Sequence, residues 1–272
     1  MVYTLKNEKL TVSIRSLGGE IVALDGGAGY DKGCIWDASP AWPRHAPVCF
    51  PWCGRLENGY FMEDGRRYEG GVHGFLRDLE HTLVEQGEDF IRLRGVWQGD
   101  ERVFPWSFSC DTEHRLEGES VVTTLTATNT GKVPMPAQIG FHSALRCPFT
   151  ADKKPTDYRF RFEKPEAPDG TDALPITEGM FDSDSICFEN LASNWVQVEE
   201  KEKGRYLRVS TERVPYVLLW TKPELPGFVC IEPWLGYPGP GESLWTRPGS
   251  VTLAPGEALR HAQRLTVDTS KK

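Results

Sequence analysis

Features that would assign this protein to several common classes are missing from its sequence. No window approaches the roughly 18 consecutive apolar residues of a membrane-spanning helix. There is no basic excess either, since 31 Lys and Arg against 39 Asp and Glu give a formal net charge of -8. Such a surface repels phosphate backbones and anionic lipid headgroups. We therefore expect neither nucleic acid nor a membrane among its partners.

Motifs that bind nucleotide cofactors or zinc are also missing. The glycines at 26, 27 and 29 follow a candidate strand, but they open no helix and have neither Walker nor dinucleotide spacing. His45, Cys49 and Cys53 have a spacing that could bind a metal on a helix, but the prolines around them forbid that helix, and no second cysteine pair follows. We expect no cofactor and no metal.

Cysteine usage and the first residues indicate a cellular compartment. Seven cysteines, an odd number, are scattered from Cys34 to Cys230 in a chain too large to need disulfides, which is typical of reduced core thiols. The first nine residues carry charges where a signal peptide needs an unbroken apolar stretch. Both observations predict a cytoplasmic protein.

Short β-strand patterns recur along the whole chain. Alternating or β-branched segments lie at residues 9–14, 20–24, 82–85, 90–94, 121–128, 206–210 and 216–220. Glycine- and proline-rich turn signals separate them, and no stretch keeps helical periodicity for three turns. Strands spaced this regularly usually close into a sandwich or barrel, because a sheet must bury one face and protect its edges. The pattern predicts an all-β fold with at most short helices.

The composition suits one large domain. Hydrophobic residues make up 39% of the chain, and 9 Trp, 13 Phe and 8 Tyr are enough to fill a sizeable core. The weakest joint is the segment 150–172, where Lys, Asp and Pro accumulate, but similar strand patterns lie on both sides of it. We interpret this segment as a surface excursion within a single domain spanning residues 1–272.

Two ionisable residues close strongly apolar segments and are candidates for acid-base chemistry. Glu232 ends an apolar strand and meets Pro233 and Trp234, surroundings that should raise its pKa and make it a competent base, although a structural hydrogen bond would also explain it. His142 closes a hydrophobic strand whose neighbours would lower its pKa by excluding water. A neutral imidazole near its titration point is a good proton donor or acceptor at pH 7.

Two further residues are candidates for ligand binding. Arg55 is the only charge between residues 46 and 56, which suits forked hydrogen bonds to an oxygen-rich ligand, although an ion pair with Glu57 explains it equally well. Glycines at 70, 71 and 74 would let a ligand approach His73 closely, but a lone histidine is more often structural. Ser143 has no G-x-S-x-G context, so a serine nucleophile is not expected.

Four segments in a fixed order carry a family resemblance. They are residues 50–59 (FPWCGRLENG), 73–75 (HGF), 140–145 (GFHSAL) and 230–238 (CIEPWLGYP). Together they resemble the LacX-like branch of the aldose 1-epimerase, or galactose mutarotase-like, family. The resemblance implies a β-supersandwich, a broad twisted and mostly antiparallel assembly whose concave face holds a monosaccharide, with a hexose expected.

The resemblance also implies a reaction and roles in it. Glu232 looks like the general base that removes the proton from the anomeric hydroxyl, and His142 looks like the acid that protonates the ring oxygen. The ring then opens to an aldehyde, which recloses as the other anomer, without a cofactor. His73 and Arg55 resemble residues that hold the sugar oxygens.

Further positions match the family less specifically. Asp184 resembles a carboxylate that receives sugar hydroxyls, with Asp182 as a competitor, and Trp234 resembles a wall of the sugar site. The sequence departs from the family at Ser143, where a proline commonly follows the histidine, which puts the local strand-end geometry in doubt. It departs again at Gly239, near which an acidic residue is common, and this change could alter the rim of the pocket.

Two alternative functions remain open at this point. A carbohydrate-binding or regulatory protein without catalysis could use the same scaffold, because a fold does not fix a function. A mutarotase for phosphorylated or sulfonated hexoses is the other alternative. It would need a second cation beside Arg55, and Arg44 and Arg77 are candidates, although Asp78 is an equally plausible partner of Arg77.

Overall fold

Antiparallel β-strands dominate the computed structural model, which describes residues 1–100 and 102–270. Its helical segments are two short 3-10 helices, Leu76–Asp78 and Pro155–Asp157. The strands, in chain order, are β1 (Val2–Lys6), β2 (Thr11–Arg15), β3 (Glu20–Asp25), β4 (Val48–Cys49), β5 (Tyr60–Glu63), β6 (Arg66–Glu69), β7 (Thr82–Gln86), β8 (Phe90–Trp97), β9 (Phe108–Glu117), β10 (Ser120–Asn129), β11 (Met135–Ala137), β12 (Gly140–Phe141), β13 (Ser143–Arg146), β14 (Tyr158–Phe162), β15 (Ala173–Pro175), β16 (Ile186–Glu189), β17 (Trp195–Glu200), β18 (Tyr206–Ser210), β19 (Tyr216–Trp220), β20 (Phe228–Trp234), β21 (Val251–Leu253) and β22 (Ala258–Val267). The predicted all-β class is confirmed.

Two large sheets form the body of the molecule. The nine-stranded sheet has the order β15-β14-β17-β18-β22-β10-β9-β8-β7. The six-stranded sheet runs β16-β19-β20-β12-β4, with β13 also paired to β20. A three-stranded sheet β1-β2-β3 and the pairs β5-β6 and β11-β21 complete the set, and each pair of named strands is antiparallel.

The main core lies between the two large sheets. One buried cluster unites Phe160 of β14 and Val198 of β17 with Val217 of β19 and Ile231 of β20. Alternation produces this packing, because successive residues of a strand point to opposite faces of its sheet. Full burial of each such side chain stabilises the fold by about 1.5–3 kcal/mol relative to exposure.

β20 is the central strand of the six-stranded sheet, and all seven of its residues are buried. Val229 and Ile231 belong to the core beneath the sheet. Cys230 and Trp234 belong to separate clusters, and by alternation Glu232 shares their side of the strand. The opposite face of the sheet therefore presents a buried carboxylate among apolar and aromatic groups.

The interpretation of residues 150–172 as a surface excursion is wrong for 158–162. These residues form β14, which pairs with β15 and β17 inside the nine-stranded sheet. Tyr158, Phe160 and Phe162 are fully buried, while the two arginines between them are not. The charged and proline-rich flanks obscured a strand whose own alternation was regular.

Two further findings concern the helices and the cysteines. No helix within residues 1–100 and 102–270 is long and apolar enough to cross a membrane. All seven cysteines are free thiols, and every one except Cys187 is fully buried.

Candidate active site

Strand register brings His142 and Glu232 together. Gly140 pairs with Trp234 and Ser143 pairs with Ile231, so His142, in the break between β12 and β13, lies directly opposite Glu232. Directly opposed residues on one face of a sheet have Cβ atoms about 4.5–5.5 Å apart. His142 Nε2 accordingly lies 3.3 Å from Glu232 Oε2.

Burial shifts the pKa values of Glu232 and His142 in opposite directions. The side chain of Glu232 is 2% exposed and that of His142 is 7% exposed. Loss of solvent raises the pKa of Glu232 well above its ordinary value, and nearby Asp184 adds to this rise. Burial, assisted by the positive charge of Arg77, lowers the pKa of His142 to about 3. The direction predicted for each residue is confirmed, but the pKa of His142 lies far below neutrality rather than near it.

His73 lies in a loop that its own backbone and side chain hold in place. Its backbone accepts a hydrogen bond from Phe50 N–H and donates one to the carbonyl of Gly54. The Gly54 N–H donates to His73 Nδ1 at 3.0 Å, which leaves Nε2–H as the donor of the neutral ring. Burial lowers the pKa of His73 well below its usual range, followed by the charge of His142 and of nearby arginines. This imidazole is a neutral hydrogen-bond donor at pH 7.

Aromatic rings enclose His142, and sequence reasoning missed two of them. The ring of Trp42 stacks on His142 with centroids 5.1 Å apart and planes inclined at 22°. Trp220 meets the same imidazole edge-on at 5.5 Å. Trp42 is held in its irregular loop by the indole N–H of Trp36, which donates to its carbonyl at 2.9 Å. The clustering of prolines and tryptophans between residues 36 and 52 was the available signal for this wall.

One cavity of about 530 Å³ collects the sequence-predicted site residues. This volume lies within the range of about 300–1,000 Å³ that is usual for small-molecule pockets. The predicted residues that line it are Arg55, His73, His142, Asp184, Glu232 and Trp234. Asp182 does not line it, whereas Leu218, Trp220 and Tyr237 do, and none of these three was singled out from the sequence.

Three arginines line the cavity, and two of them share one acidic partner. Arg44 Nη1 lies 2.7 Å from Asp78 Oδ1, and Arg77 Nε lies 3.8 Å from Asp78 Oδ2. Arg77 also donates from Nη2 to the carbonyl of Val72 at 2.6 Å. The predicted competition of Asp78 for Arg77 is therefore real, but Asp78 binds Arg44 more closely.

Arg55 does not form the ion pair with Glu57 that its sequence context allowed. Glu57 accepts a hydrogen bond from the Gly241 N–H instead. Within residues 1–100 and 102–270, the exposed Arg55 guanidinium makes no hydrogen bond and no ion pair. The backbone of Arg55 is held in place, because the buried Arg247 donates hydrogen bonds to the carbonyls of Arg55 and Cys53.

A set of possible metal ligands lies at the contact between His142 and Glu232. Donor atoms of His142, Cys230 and Glu232 lie within 4.8 Å of one another. The positive charge of Arg77, which acts on His142, opposes a cation there. The other residues considered for metal binding are separated, since His45 lies against Glu20 while Cys49 contacts His73.

Comparison with known proteins identifies the family. The family model described as aldose 1-epimerase matches residues 1–266. The chain belongs to the aldose 1-epimerase family. It is 30% identical to the chromosomal protein LacX of Lactococcus lactis subsp. lactis, with 100% of this chain and 97% of that protein aligned. The resemblance to the LacX-like branch is thereby confirmed.

Solved structures confirm the fold of this family member. A galactose mutarotase related enzyme from Lactobacillus acidophilus has a TM-score of 0.89 at 24% identity, covering 100% of this chain and 99% of that one. A galactose mutarotase-like protein from Lactobacillus casei has a TM-score of 0.87 at 21% identity, covering 98% and 100%. At these identities the likeness establishes the fold, and the predicted galactose mutarotase-like supersandwich is confirmed. Family membership itself implies a sugar substrate.

Proposed function

We propose that this protein is an aldose 1-epimerase that interconverts the α and β anomers of an aldose. Glu232 and His142 are the acid-base pair of this proposal. The observation that carries it is the 3.3 Å contact between His142 Nε2 and Glu232 Oε2 on the floor of a cavity large enough for a monosaccharide. A carboxylate and an imidazole side by side can handle both proton transfers that opening a hemiacetal requires.

The reaction is a pair of coupled proton transfers. Glu232 takes the proton from the anomeric hydroxyl while His142 gives one to the ring oxygen; the C1–O5 bond breaks and C1 becomes an aldehyde. Rotation about C1–C2 presents the other face of the carbonyl. Ring closure with the two roles exchanged gives the opposite anomer and returns both protons. No electrons are transferred, so the reaction needs no redox cofactor.

For this cycle, Glu232 and His142 together must hold one proton more than a carboxylate and a neutral imidazole. Burial opposes charge on either partner and raises the pKa of Glu232 while it lowers that of His142, so the proton favours Glu232 over His142. An anomeric hydroxyl that donates a hydrogen bond to Glu232 stabilises the carboxylate form. Substrate binding therefore favours transfer of the proton across the contact to His142, which is the arrangement that opens the ring.

The remaining predicted residues would hold the sugar. Neutral His73 offers an N–H donor and Arg55 a free guanidinium. Asp184 offers acceptor oxygens for sugar hydroxyls, and its backbone has a φ of 97°, which is uncommon for a residue with a side chain and suggests that its placement is enforced. Trp234 provides an apolar wall beside His73, with ring centroids 5.2 Å apart.

Polarimetry of freshly dissolved α-glucose and α-galactose tests the proposal. The protein should accelerate the decay of optical rotation beyond the rate in buffer. Glu232→Gln and His142→Asn should each lower kcat by about a hundred- to ten-thousand-fold, which is the usual contribution of one general acid or base.

A matched control comes from the residue next to His142. The Ser143 hydroxyl donates to Gln263 at 3.1 Å, away from the cavity, so Ser143→Ala should keep the wild-type rate. Equal rates for wild type and both site variants would refute the assignment of the pair. A wild-type protein that accelerates neither sugar, nor any other common aldose, would refute the function.

A further inference from the structure

Pro233 interrupts the hydrogen bonding of a central strand. It lies on β20, between β19 and β12 in the six-stranded sheet. Proline has no main-chain N–H, so it removes one hydrogen bond from the ladder and is normally confined to edge strands or bulges. Here the missing bond lies directly beside Glu232, in the strand that carries the proposed base.

Strand register identifies the acceptor that loses its donor. Leu235 N–H donates to the carbonyl of Ile139 at 2.8 Å. In an antiparallel ladder every second pair of residues exchanges hydrogen bonds, so the next such pair is Phe141 with Pro233. The Phe141 carbonyl is therefore the acceptor that a residue with an N–H at position 233 would satisfy.

The indole of Trp234 supplies the missing donor. Trp234 Nε1–H donates to the Phe141 carbonyl at 3.1 Å, and this hydrogen bond is buried. A buried carbonyl normally has a partner, and here the side chain that follows the proline provides it. The bond ties β12 to β20 next to His142 and close to Glu232.

Gly140 makes room for this indole. Gly140 lies opposite Trp234 in the register of β12 and β20. A Cβ on Gly140 would lie 2.4 Å from Cδ1 of the indole and 2.8 Å from its Cγ. Only glycine leaves enough space for such a close approach. The indole can therefore lie across the neighbouring strand and reach the carbonyl of Phe141.

The other residue of the interrupted pair is also held by a side chain. His261, on β22 of the nine-stranded sheet, has Nε2 3.3 Å from the carbonyl oxygen of Pro233. Because a carbonyl can only accept, Nε2–H is the donor of this bond. The imidazole also packs against Phe141, with ring centroids 5.1 Å apart. Side chains thus fix both Phe141 and Pro233.

The interrupted pair adjoins the contact on which the proposed chemistry depends. Since Phe141 and Pro233 occupy a hydrogen-bonded position, His142 and Glu232 occupy the next, non-hydrogen-bonded one. Pairs of that kind bring their side chains closest together. This agrees with the 3.3 Å distance between His142 Nε2 and Glu232 Oε2. Separation of the two strands at this point would lengthen that distance directly.

We propose that Trp234 is a positioning residue, whose indole N–H replaces the main-chain donor that Pro233 lacks and so keeps His142 against Glu232. The proposal rests on the proposed function for its catalytic consequence, but not for the hydrogen bond itself. Because the N–H is engaged with the Phe141 carbonyl, it is not a donor to a sugar hydroxyl. A role as an apolar wall alone would need the ring but not the N–H.

Trp234→Phe separates these two roles, because it keeps an aromatic ring and removes the donor. We expect kcat, measured by NMR exchange between anomers, to fall about ten- to a hundredfold with a smaller change in KM, since a misplacement of about 1 Å can cost a hundredfold in rate. Trp97→Phe is the matched control. The Trp97 indole donates to the Phe104 carbonyl at 3.0 Å outside the cavity, so its loss should leave kcat unchanged.

Restoring the main-chain donor should rescue the defect. Pro233→Ala returns an N–H to the position that faces the Phe141 carbonyl. Added to Trp234→Phe, it should raise kcat by at least about fivefold above that of Trp234→Phe alone, which is about the worth of one hydrogen bond. A wall or sugar contact made by Trp234 predicts no such recovery.

An isosteric replacement excludes a simple packing defect. Incorporation of 3-benzofuranylalanine in place of Trp234 keeps the size of the ring and exchanges the N–H for an oxygen. Its kcat should fall as far as that of Trp234→Phe. Wild-type kcat in this variant, or no recovery in the double variant with Pro233→Ala, would overturn the positioning proposal.

Crystal structures of the variants separate this proposal from the proposed function. The distance between His142 Nε2 and Glu232 Oε2 should lengthen in Trp234→Phe and shorten again when Pro233→Ala is added. That result in a protein that accelerates no aldose would refute the proposed function alone. An unchanged distance in Trp234→Phe would overturn the positioning proposal, whatever the activity.

Discussion

At the scale of single residues, the proposed chemistry depends on two groups whose surroundings push them toward the neutral state. Glu232 ends an apolar strand, and that context alone predicted a raised pKa, because the carboxylate loses its hydration when the strand is buried. The low pKa of His142 could be predicted only in direction. Its size comes from near-complete burial and from the charge of Arg77. The rings of Trp42 and Trp220, which lie far away in the sequence, are among the groups that enclose the imidazole.

The pH dependence of activity follows from these two shifts. His142 has a pKa lowered to about 3, so it gains no second proton between pH 8 and pH 6, while burial raises the pKa of Glu232 well above its ordinary value. We expect kcat/KM, measured by NMR exchange, to show no inflection from His142 between pH 6 and pH 8. An inflection near 6.5, the ordinary pKa of histidine, in a protein still folded by circular dichroism would contradict this assignment.

At the scale of structural elements, alternation made many strands predictable, while their pairing was not. β2, β8, β10 and β18 have the alternating burial of a half-buried strand, and the sequence predicted them. β22, ten residues long, was missed because two of its buried positions, His261 and Gln263, are polar and interrupt the apolar alternation. The register that opposes His142 to Glu232 joins segments about 90 residues apart, and only the folded sheet shows it.

The His73 loop offers a test of how one element supports the site. His73 and Gly74 both have left-handed backbone angles, with φ of 67° and 66°. A Cβ on Gly74 would lie 2.1 Å from the carbonyl oxygen of Phe50, which accepts a hydrogen bond from Phe75 N–H. Gly74→Ala should therefore lower the free energy of unfolding by about 2–4 kcal/mol, from backbone strain and lost hydrogen bonds.

Urea unfolding checks this prediction, and Gly71→Ala is the matched control. A Cβ at Gly71 meets nothing within 4 Å, so that variant should unfold within about 0.5 kcal/mol of the wild type. Unchanged stability of Gly74→Ala would mean that the loop adjusts without cost, and His73 would then not be held as rigidly as described.

At the scale of the whole molecule, buried or partly buried histidines lie in strands and in loops alike. Burial lowers the pKa of five histidines, which are His73, His81, His114, His142 and His261. The pKa falls to about 3 for His142 and to about 4 for His81, His114 and His261. The unfolded chain takes up protons on all of them near pH 6.5, while the folded chain does not. Their contribution to stability is therefore complete above pH 6.5 and is lost as the pH falls.

This burial predicts acid sensitivity. Glu232, with its raised pKa, has the opposite sign and offsets part of this effect above pH 4.5. Each histidine that stays neutral in the folded chain while its unfolded counterpart is protonated lowers the free energy of unfolding by about 1.4 kcal/mol per pH unit. Several such groups together remove a substantial fraction of the roughly 5–15 kcal/mol that stabilises an ordinary domain. Urea titrations at pH 7, 6 and 5 should show this decline, and equal stability at pH 5 and 7 would contradict it.

The most direct measurement is the structure of the protein with an aldose bound in the cavity. The account predicts the anomeric oxygen within about 2.6–3.2 Å of a Glu232 carboxyl oxygen and the ring oxygen at the same distance from His142 Nε2. A sugar bound with its anomeric carbon directed away from both side chains, or bound elsewhere on the molecule, would contradict it.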